Sequence, residues 1–269
     1  MKKFLTLLLI IGSVALIGFS AWQIITVLQE RYICRTEYEQ ARESYVSAIQ
    51  PKQNADVADV EADPFPKIDI DVEGLLEKNE DYVAWLYYED AKISYPIVQE
   101  SGDEVNKYIH TTFDGTENPA GCIFMPFDSD PMFRYMNTFL YGHNMKDGSM
   151  FGRLKNIYRD PKEAKNPYFY IWDLDGNVTR YRVFAMYVVD KSDPMYSIPL
   201  KIEAYRDYVD KALKLGSMDG YIPFTEAENQ AMEEGAPVVT LSTCYGSAGT
   251  SRRLLVPVSY THLTLPTTS

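Results

Sequence analysis

The segment 238–244 constrains the fold most strongly, because it is an apolar, strand-like run that ends on Cys244. A second apolar run, at 254–256, begins directly after Arg253. If the two runs pair as neighbouring strands, a thiol and a guanidinium lie at the same end of one sheet. A thiol beside a fixed cation is a candidate nucleophile.

A thiol nucleophile needs a proton acceptor, and the chain contains three histidines. His262 lies in a Thr-rich terminal stretch, and His110 follows a polar, turn-prone region that predicts a surface loop. His143 differs from both, because it ends the strand-like segment 138–141 and precedes several turn-forming residues. Catalytic groups favour such strand-to-loop junctions, so we predict that His143 is the partner of Cys244.

Three separated motifs carry a family resemblance. They are Tyr-Gly-His-Asn-Met at 141–145 with Gly-Ser-Met-Phe at 148–151, then Thr-Leu-Ser-Thr-Cys at 240–244, and then Arg253. In this order they resemble the motifs of class B sortases, the cysteine transpeptidases of Gram-positive bacteria. Upstream, the segments 82–86 and 93–99 resemble the first helix and the opening strand of the family's catalytic domain. The resemblance covers roughly residues 70 to 256.

The resemblance implies a reaction and a set of site residues. Sortases carry a Cys, a His and an Arg in these motifs, so Cys244, His143 and Arg253 are expected to be catalytic. In such enzymes the sorting signal of a secreted protein is cut after its threonine, a thioester forms on the cysteine, and an amine of a peptidoglycan precursor attacks it. Class B members recognise signals of the Asn-Pro-x-Thr type, and Ser242 with its neighbour Thr243 is expected to bind them.

The chemistry of the three side chains suits acyl transfer. As an imidazolium, His143 would stabilise the thiolate and could donate a proton to the departing amine. Arg253 cannot act as a base because its guanidinium stays protonated, so we expect it to hold the substrate and to stabilise the oxyanion. Arg252 is adjacent, but strand alternation sends the two arginines to opposite faces. The family pattern, with its arginine immediately before the aliphatic run, selects Arg253.

Residues 4–28 form an almost uninterrupted apolar segment behind Lys2 and Lys3. As a helix the segment would be about 37 Å long, against a hydrocarbon layer of roughly 30 Å. A cleaved signal peptide is the alternative, but its apolar region usually has only about 7 to 15 residues. We expect an uncleaved, single-pass anchor in the cell membrane. The two lysines favour a cytoplasmic N-terminus and an extracellular catalytic domain, in a Gram-positive type of envelope.

The chain divides into four predicted parts. They are a cytoplasmic N-terminus with a transmembrane anchor (1–28), a juxtamembrane helix with a linker (29–67), a catalytic domain (68–258) and a tail that looks foreign to the family (259–269). The tail resembles a translated vector adaptor, and Pro257 removes a donor from the strand ladder. We therefore expect a last strand that is cut short and a barrel that closes poorly.

Strand signals dominate from residue 92 onward, at 93–98, 121–125, 137–141, 168–174, 178–189, 237–243 and 254–258. Helical spacing occurs over 72–86, 201–215 and 225–232. Strands at short spacing with only occasional helices predict a mainly β protein and a closed barrel. In the form that the resemblance implies, the barrel has about eight strands, N-terminal helices and one helix inserted between strands, and a single transmembrane helix precedes it.

Composition excludes several functions. The net charge of −12 argues against a nucleic-acid partner, since phosphate binding needs a basic patch. Three cysteines cannot all pair, and Cys122 in its apolar run is interpreted as a buried small hydrophobe. No metal or other cofactor is expected, because His143 and the cysteines lack zinc-ligand spacing and no loop has a regular calcium-ligand pattern.

Two other functions stay open on the sequence. A thiol peptidase that only hydrolyses would form the same acyl-enzyme and would differ in what resolves it. A non-catalytic, anchored binding module would contain an inert, structural Cys244.

Overall fold

The computed structural model describes residues 2–48, 65–246 and 249–264. Within these residues the helices are α1 Lys2–Tyr45, α2 Val72–Lys78, α3 Leu154–Arg159, α4 Ile202–Gly216 and α5 Glu226–Glu234. The strands are β1 Val46–Ala48, β2 Ile68–Ile70, β3 Tyr82–Tyr88, β4 Ile93–Gln99, β5 Ile123–Met125, β6 Asn137–Tyr141, β7 Tyr168–Trp172, β8 Val178–Val183, β9 Tyr187–Asp190, β10 Val238–Cys244 and β11 Arg252–Thr264.

Eight strands form a closed β-barrel. They follow the order β10-β6-β5-β4-β3-β7-β8-β11, and β11 pairs back with β10 to complete the ring. The pairs β4–β5 and β10–β6 are parallel, and β9 adds to the first part of β11. The prediction of a closed barrel with about eight strands is confirmed.

Two apolar clusters lie on the two faces of β10 and β11. Val239 and Leu241 belong to the cluster that fills the barrel, whereas Val238 and Leu255 pack in a second cluster with α4. Fully burying one large apolar side chain contributes about 1.5–3 kcal/mol, so both faces of these strands are strongly determined. In β10 only the last residue, Cys244, is not fully buried.

The segment Tyr82–Tyr88 is strand β3, so the helix expected over its first residues is wrong. Six of its seven residues are buried, and both faces of the strand contact apolar side chains. A strand that is buried on both faces loses its polar–apolar alternation, and its apolar positions then mimic helical spacing. The helix ends earlier, as α2, which the Asp71 side chain caps by accepting a hydrogen bond from the Gly74 amide at 3.0 Å.

The expected strand at 178–189 is two strands with a break at 184–186. In the break the Phe184 amide donates to the Pro257 carbonyl and the Met186 amide donates to the Gly216 carbonyl. The break therefore joins the barrel wall to the end of α4. Two helices, α4 and α5, lie between β9 and β10, where the sequence showed helical spacing over 201–215 and 225–232 and the resemblance implied one inserted helix. Helix α5 begins at a capping box formed by Thr225 and Glu228.

The last strand does not stop at Pro257. Strand β11 passes through Pro257, which lies opposite Thr240, and continues to Thr264 along β8. The lost donor of Pro257 is tolerated, and its carbonyl still accepts a hydrogen bond from Phe184. The barrel is closed by β11, so the expectation of poor closure is wrong, whereas the expectation that a tail foreign to the family cuts the last strand short stays a prediction. Residues 265–269 lie outside the described residues.

Helix α1 consists of two unlike halves. Its 44 residues give a length of about 66 Å, and its large apolar side chains between Phe4 and Leu28 are mainly exposed. The helix is long and apolar enough to cross a membrane by length and composition. In its second half, Cys34, Tyr38 and Ala41 are buried in the same cluster as the barrel interior. This half therefore packs on the barrel.

The expected linker falls largely on residues 49–64, which lie outside the described residues. Where the chain is described again, β2 pairs with β1 in an antiparallel manner. Phe65 is buried and its ring lies 5.7 Å from that of Tyr170, so residues 65–67 already belong to the folded domain.

Candidate active site

Strand register brings Cys244 and Arg253 together. The antiparallel pairing of β10 with β11 places the two residues directly opposite each other. Residues in that relation share a face, with Cβ atoms about 4.5–5.5 Å apart. Arg252 lies on the other face, where its guanidinium is 5.5 Å from the centre of the Tyr245 ring. Of the two arginines, Arg253 therefore shares the pocket with Cys244.

Strand register also brings His143 to the same end of the barrel. Strand β6 runs parallel to β10 with Tyr141 beside Ser242, and the Gly142 amide donates to the Ser242 carbonyl at 3.2 Å. His143 lies two residues after Tyr141, and Cys244 lies two residues after Ser242. The two side chains are therefore level at one barrel edge, and both line a single pocket of about 140 Å³.

The pocket joins this polar group to apolar side chains. It is lined by Ile109, Phe124, Tyr141, Gly142, His143, Ser242, Thr243, Cys244 and Arg253. Cys244 is partly exposed, whereas the other two cysteines are buried. A larger cleft of about 620 Å³ between α1 and β4 contains none of the three predicted catalytic residues. The site is therefore identified by its chemistry and not by its size.

The protonation state of His143 is set by its surroundings. Its Nε2 atom lies 2.8 Å from the Ile109 carbonyl oxygen, which can only accept, so Nε2 carries the proton and Nδ1 is the basic nitrogen of the neutral ring. Burial lowers the pKa of His143 below its usual value of 6.5, the bond to Ile109 opposes this, and the neighbouring His110 lowers it further. At neutral pH the imidazole is therefore uncharged and ready to accept a proton.

Two residues that the sequence analysis missed adjoin the site. His110 is exposed, in agreement with the predicted surface loop, but its ring stacks on that of His143 with the ring centroids 6.0 Å apart. Asn144 donates from Nδ2 to the Cys244 carbonyl at 2.8 Å, and Lys155 donates to the Asn144 side-chain oxygen at 3.0 Å. This bridge ties the segment after His143 to the end of β10. The position of Asn144 directly after the predicted histidine was the available signal.

Arg253 is held by backbone carbonyls. Its Nη1 atom donates to the Thr250 carbonyl at 2.7 Å and to the Arg252 carbonyl at 3.1 Å. Burial raises the pKa of the Tyr141 phenol to about 12, and the positive charge of Arg253 partly offsets this rise. The guanidinium therefore acts as a fixed positive charge within the pocket.

Ser242 and Thr243 differ in orientation. Strand alternation puts Ser242 on the face of Cys244, and its hydroxyl lies 2.7 Å from that of Tyr196. Thr243 takes the face of Leu241, toward the barrel interior, and its buried hydroxyl has no hydrogen-bond partner within the described part of the chain. Of these two side chains, only that of Ser242 shares the face on which Cys244 lies.

The remaining cysteines are buried. The interpretation of Cys122 as a buried small residue is confirmed, because it is 0% exposed and burial raises the pKa of its thiol to about 12. Cys34 lies on α1 and is buried where this helix packs on the barrel. Across residues 2–48, 65–246 and 249–264, no group of three His, Cys, Asp or Glu side chains is arranged to hold a metal ion. His262 lies on β11, and its side chain is outside the described part.

Comparison with known proteins identifies the family. A family model described as a sortase domain matches residues 86–260. The chain is 28% identical to sortase B of Listeria monocytogenes over 244 residues, which cover 90% of this chain and 91% of that protein. It is 23% identical to sortase B of Staphylococcus aureus over 260 residues, which cover 95% of this chain and 96% of that protein.

Solved structures agree on the fold. Sortase B from Bacillus anthracis in complex with AAEK1 superposes with a TM-score of 0.66 at 24% identity, covering 87% of this chain and 99% of that one. A sortase B–substrate complex from Staphylococcus aureus gives a TM-score of 0.59 at 23% identity, covering 70% of this chain and 83% of that one. The chain therefore belongs to the sortase family, as a class B member, and is a cysteine transpeptidase of cell-wall sorting.

Proposed function

We propose that the chain cuts the sorting signal of a secreted protein after its threonine, holds the protein as a thioester on Cys244 and transfers it to an amine of a peptidoglycan precursor. One observation carries the proposal: a partly exposed thiol, a neutral imidazole and a fixed guanidinium line the same small pocket. Together these groups supply a nucleophile, a proton carrier and an oxyanion partner.

In the first half-reaction, Nδ1 of His143 takes the thiol proton and the Cys244 thiolate attacks the threonine carbonyl carbon. The carbonyl oxygen becomes an oxyanion, which the Arg253 guanidinium stabilises. The carbon–nitrogen bond of the scissile peptide then breaks, and the departing amine takes the proton from His143. The products are a thioester on Cys244 and the released end of the sorting signal.

In the second half-reaction, the acceptor amine attacks the thioester carbon. His143 takes one proton from the amine, the carbon–sulfur bond breaks and the proton returns to Cys244. An amide bond links the protein to the precursor, and the enzyme regains its starting state. The apolar side chains of Ile109 and Phe124 in the pocket strengthen the electrostatic steps by lowering the local dielectric constant.

We propose that the first half of α1 anchors the protein in the cell membrane, with Lys2 and Lys3 on the cytoplasmic side and the barrel outside. The exposed apolar side chains of this half support the assignment. Tyr38, which packs on the barrel, follows Leu28 by only about 15 Å along the helix axis. The short distance keeps the barrel close to the outer face of the cell membrane, where secreted proteins emerge.

Recognition of the signal is assigned to the face of β10 that bears Cys244. Ser242 lies on that face and contacts Tyr196, so this pair is the proposed contact for a signal of the Asn-Pro-x-Thr type. Thr243 is proposed to contribute through its backbone, because its side chain points to the opposite face.

The test uses the full chain in detergent micelles, a set of labelled Asn-Pro-x-Thr peptides with x varied, and a short glycine peptide or a diamino acid as acceptor. We expect an amide-linked product whose amount rises with acceptor concentration. The Cys244→Ala variant should form none, whereas Cys34→Ala, which removes a buried thiol on α1 outside the pocket, should retain activity.

Two outcomes would contradict the proposal. Cleavage that is unaffected by any amine would indicate a thiol peptidase that only hydrolyses. A Cys244 thiol that is inert to a thiol-reactive probe, with no cleavage of any peptide, would indicate a binding module.

A further inference from the structure

The Ile109 carbonyl, which fixes the proton on Nε2 of His143, packs against residues 121–122, directly before β5. The Cys122 amide donates to the neighbouring Tyr108 carbonyl at 2.9 Å, so the two backbones run side by side. Gly121 lies against the same backbone. A Cβ atom at this position would clash with the carbonyl oxygens of Tyr108 and Ile109.

Gly121 makes this close approach in a backbone conformation that favours glycine, with φ of +57°. A shift of Gly121 toward residue 109 would therefore push on the hydrogen-bond acceptor of His143. The carbonyl of Gly121 faces α1.

Tyr38 on the second half of α1 holds that carbonyl. Its hydroxyl donates to the Gly121 oxygen at 2.7 Å, and its side chain is 3% exposed. The ring packs edge-on against Tyr95 at 5.2 Å, which fixes the direction of the hydroxyl. A continuous path of contacts thus leads from α1 through Gly121 and Ile109 to His143.

Two other contacts join α1 to the same segment, and one of them, Asn118, also binds the His110 carbonyl and the Gly121 amide through its backbone. Glu37 accepts from the Asp114 amide at 2.9 Å, and Asn118 donates to the Glu30 carbonyl at 2.9 Å. These two hydrogen bonds attach Asp114 and Asn118 to α1. Tyr38 is the contact at Gly121 itself.

We propose that Tyr38 is a positioning residue for His143: by holding the Gly121 carbonyl it sets the place of the Ile109 carbonyl, which keeps the proton of the imidazole on Nε2 and leaves Nδ1 free for catalysis. Docking of the juxtamembrane half of α1 is thereby coupled to the protonation pattern of the site. The catalytic part of this inference rests on the proposed function, whereas the coupling to His143 does not.

The test compares Tyr38→Phe with Tyr32→Phe in the full chain, in nanodiscs or detergent. Tyr32 lies on the same helix and is 71% exposed, so it is a matched control. Labelling with ¹⁵N-histidine reports the tautomer and the titration of each ring, and His143→Gln assigns the signals. In Tyr38→Phe we expect part of the His143 population to carry its proton on Nδ1. Its pKa should also fall, because the bond to Ile109, which raises it, is weakened.

Transpeptidation provides the second measurement. We expect kcat to fall by about 3- to 10-fold with KM within about twofold, the range for a lost supporting hydrogen bond. Tyr32→Phe should match the unchanged protein. Replacing Tyr38 with 4-aminophenylalanine, which keeps a donor at this place, should restore both the histidine signals and kcat.

A loss of thermal stability in Tyr38→Phe with unchanged histidine signals and an unchanged pH profile would overturn the inference, because Tyr38 would then only stabilise the fold. Absence of transpeptidation in the unchanged protein would instead contradict the proposed function. The histidine signals would still test the coupling in that case.

Discussion

The two sides of the site are built by different means. Cys244 and Arg253 lie on adjacent strands, where a backbone hydrogen-bond ladder with a unique register places them. His143 follows the end of β6, and its ring is oriented by the carbonyl of Ile109, in the connection between β4 and β5. The ladder can shift only by whole residues, whereas a carbonyl on a loop can shift by fractions of an ångström. The cysteine side is therefore intrinsically rigid, and the histidine side depends on its supports.

The largest effect is expected from removing the Arg253 guanidinium on the cysteine side of the site. We expect Arg253→Ala to lower kcat by about 100- to 1,000-fold, because a fixed partner of the oxyanion is lost. The peptide titration curve and the thiol reactivity of the variant check that binding and folding survive.

Arg252→Ala is the matched control for that experiment. Its side chain lies over Tyr245 on the opposite face, so we expect kcat within about threefold of the unchanged protein. Equal losses in the two variants would show that the register argument has chosen the wrong arginine, or that neither acts.

Asn144, which bridges the histidine side and the cysteine side, should have an intermediate effect on kcat when it is replaced. Asn144→Ala removes the bond to the Cys244 carbonyl and leaves Lys155 without its partner, so we expect kcat to fall by about 10-fold. Steady-state kinetics with a sorting peptide measure it. Asn156→Ala, an exposed position on α3, should change neither kcat nor stability. An Asn144→Ala enzyme with normal kcat would show that the two sides need no direct tie.

The smallest expected effect concerns pH. Because burial lowers the pKa of His143, the acid limb of kcat/KM should lie below pH 6.5, and activity should be lost as pH falls through the lowered value. The neighbouring His110 contributes to the lowering, so His110→Ala should move this limb slightly upward. A pH–rate profile of both proteins measures the shift. A downward movement would mean that His110 supports the protonated ring.

The rigid side could be predicted from the sequence, because alternation and strand pairing are local rules. They allow only one of Arg252 and Arg253 to lie beside Cys244, the family resemblance selected Arg253, and the structure has this arrangement. His143 was reached by elimination among few histidines. Strand β3 was misread because a strand buried on both faces has no alternation to detect.

The supports of His143 could not be predicted in the same way. Tyr38 and Gly121 are 83 residues apart, and neither carries a motif that indicates the other. Asn144 and Cys244 do lie in the quoted motifs, but nothing in those motifs indicates the hydrogen bond between them, which spans 100 residues. Such contacts depend on how loops and helices pack around the barrel, which no short-range pattern specifies. The course of β11 beyond Pro257 was missed for a related reason, since pairing with β8 and β10 outweighs one lost donor.

The most direct test of the central claim is to capture the acyl-enzyme. The full chain is mixed with an Asn-Pro-x-Thr peptide without acceptor, quenched in acid, digested and examined by mass spectrometry. We predict a peptide ending at threonine in thioester linkage to Cys244, which disappears on brief incubation with an acceptor amine and is absent in Cys244→Ala. An adduct on Cys34 or Cys122, or an adduct on Cys244 that no amine releases, would contradict the account.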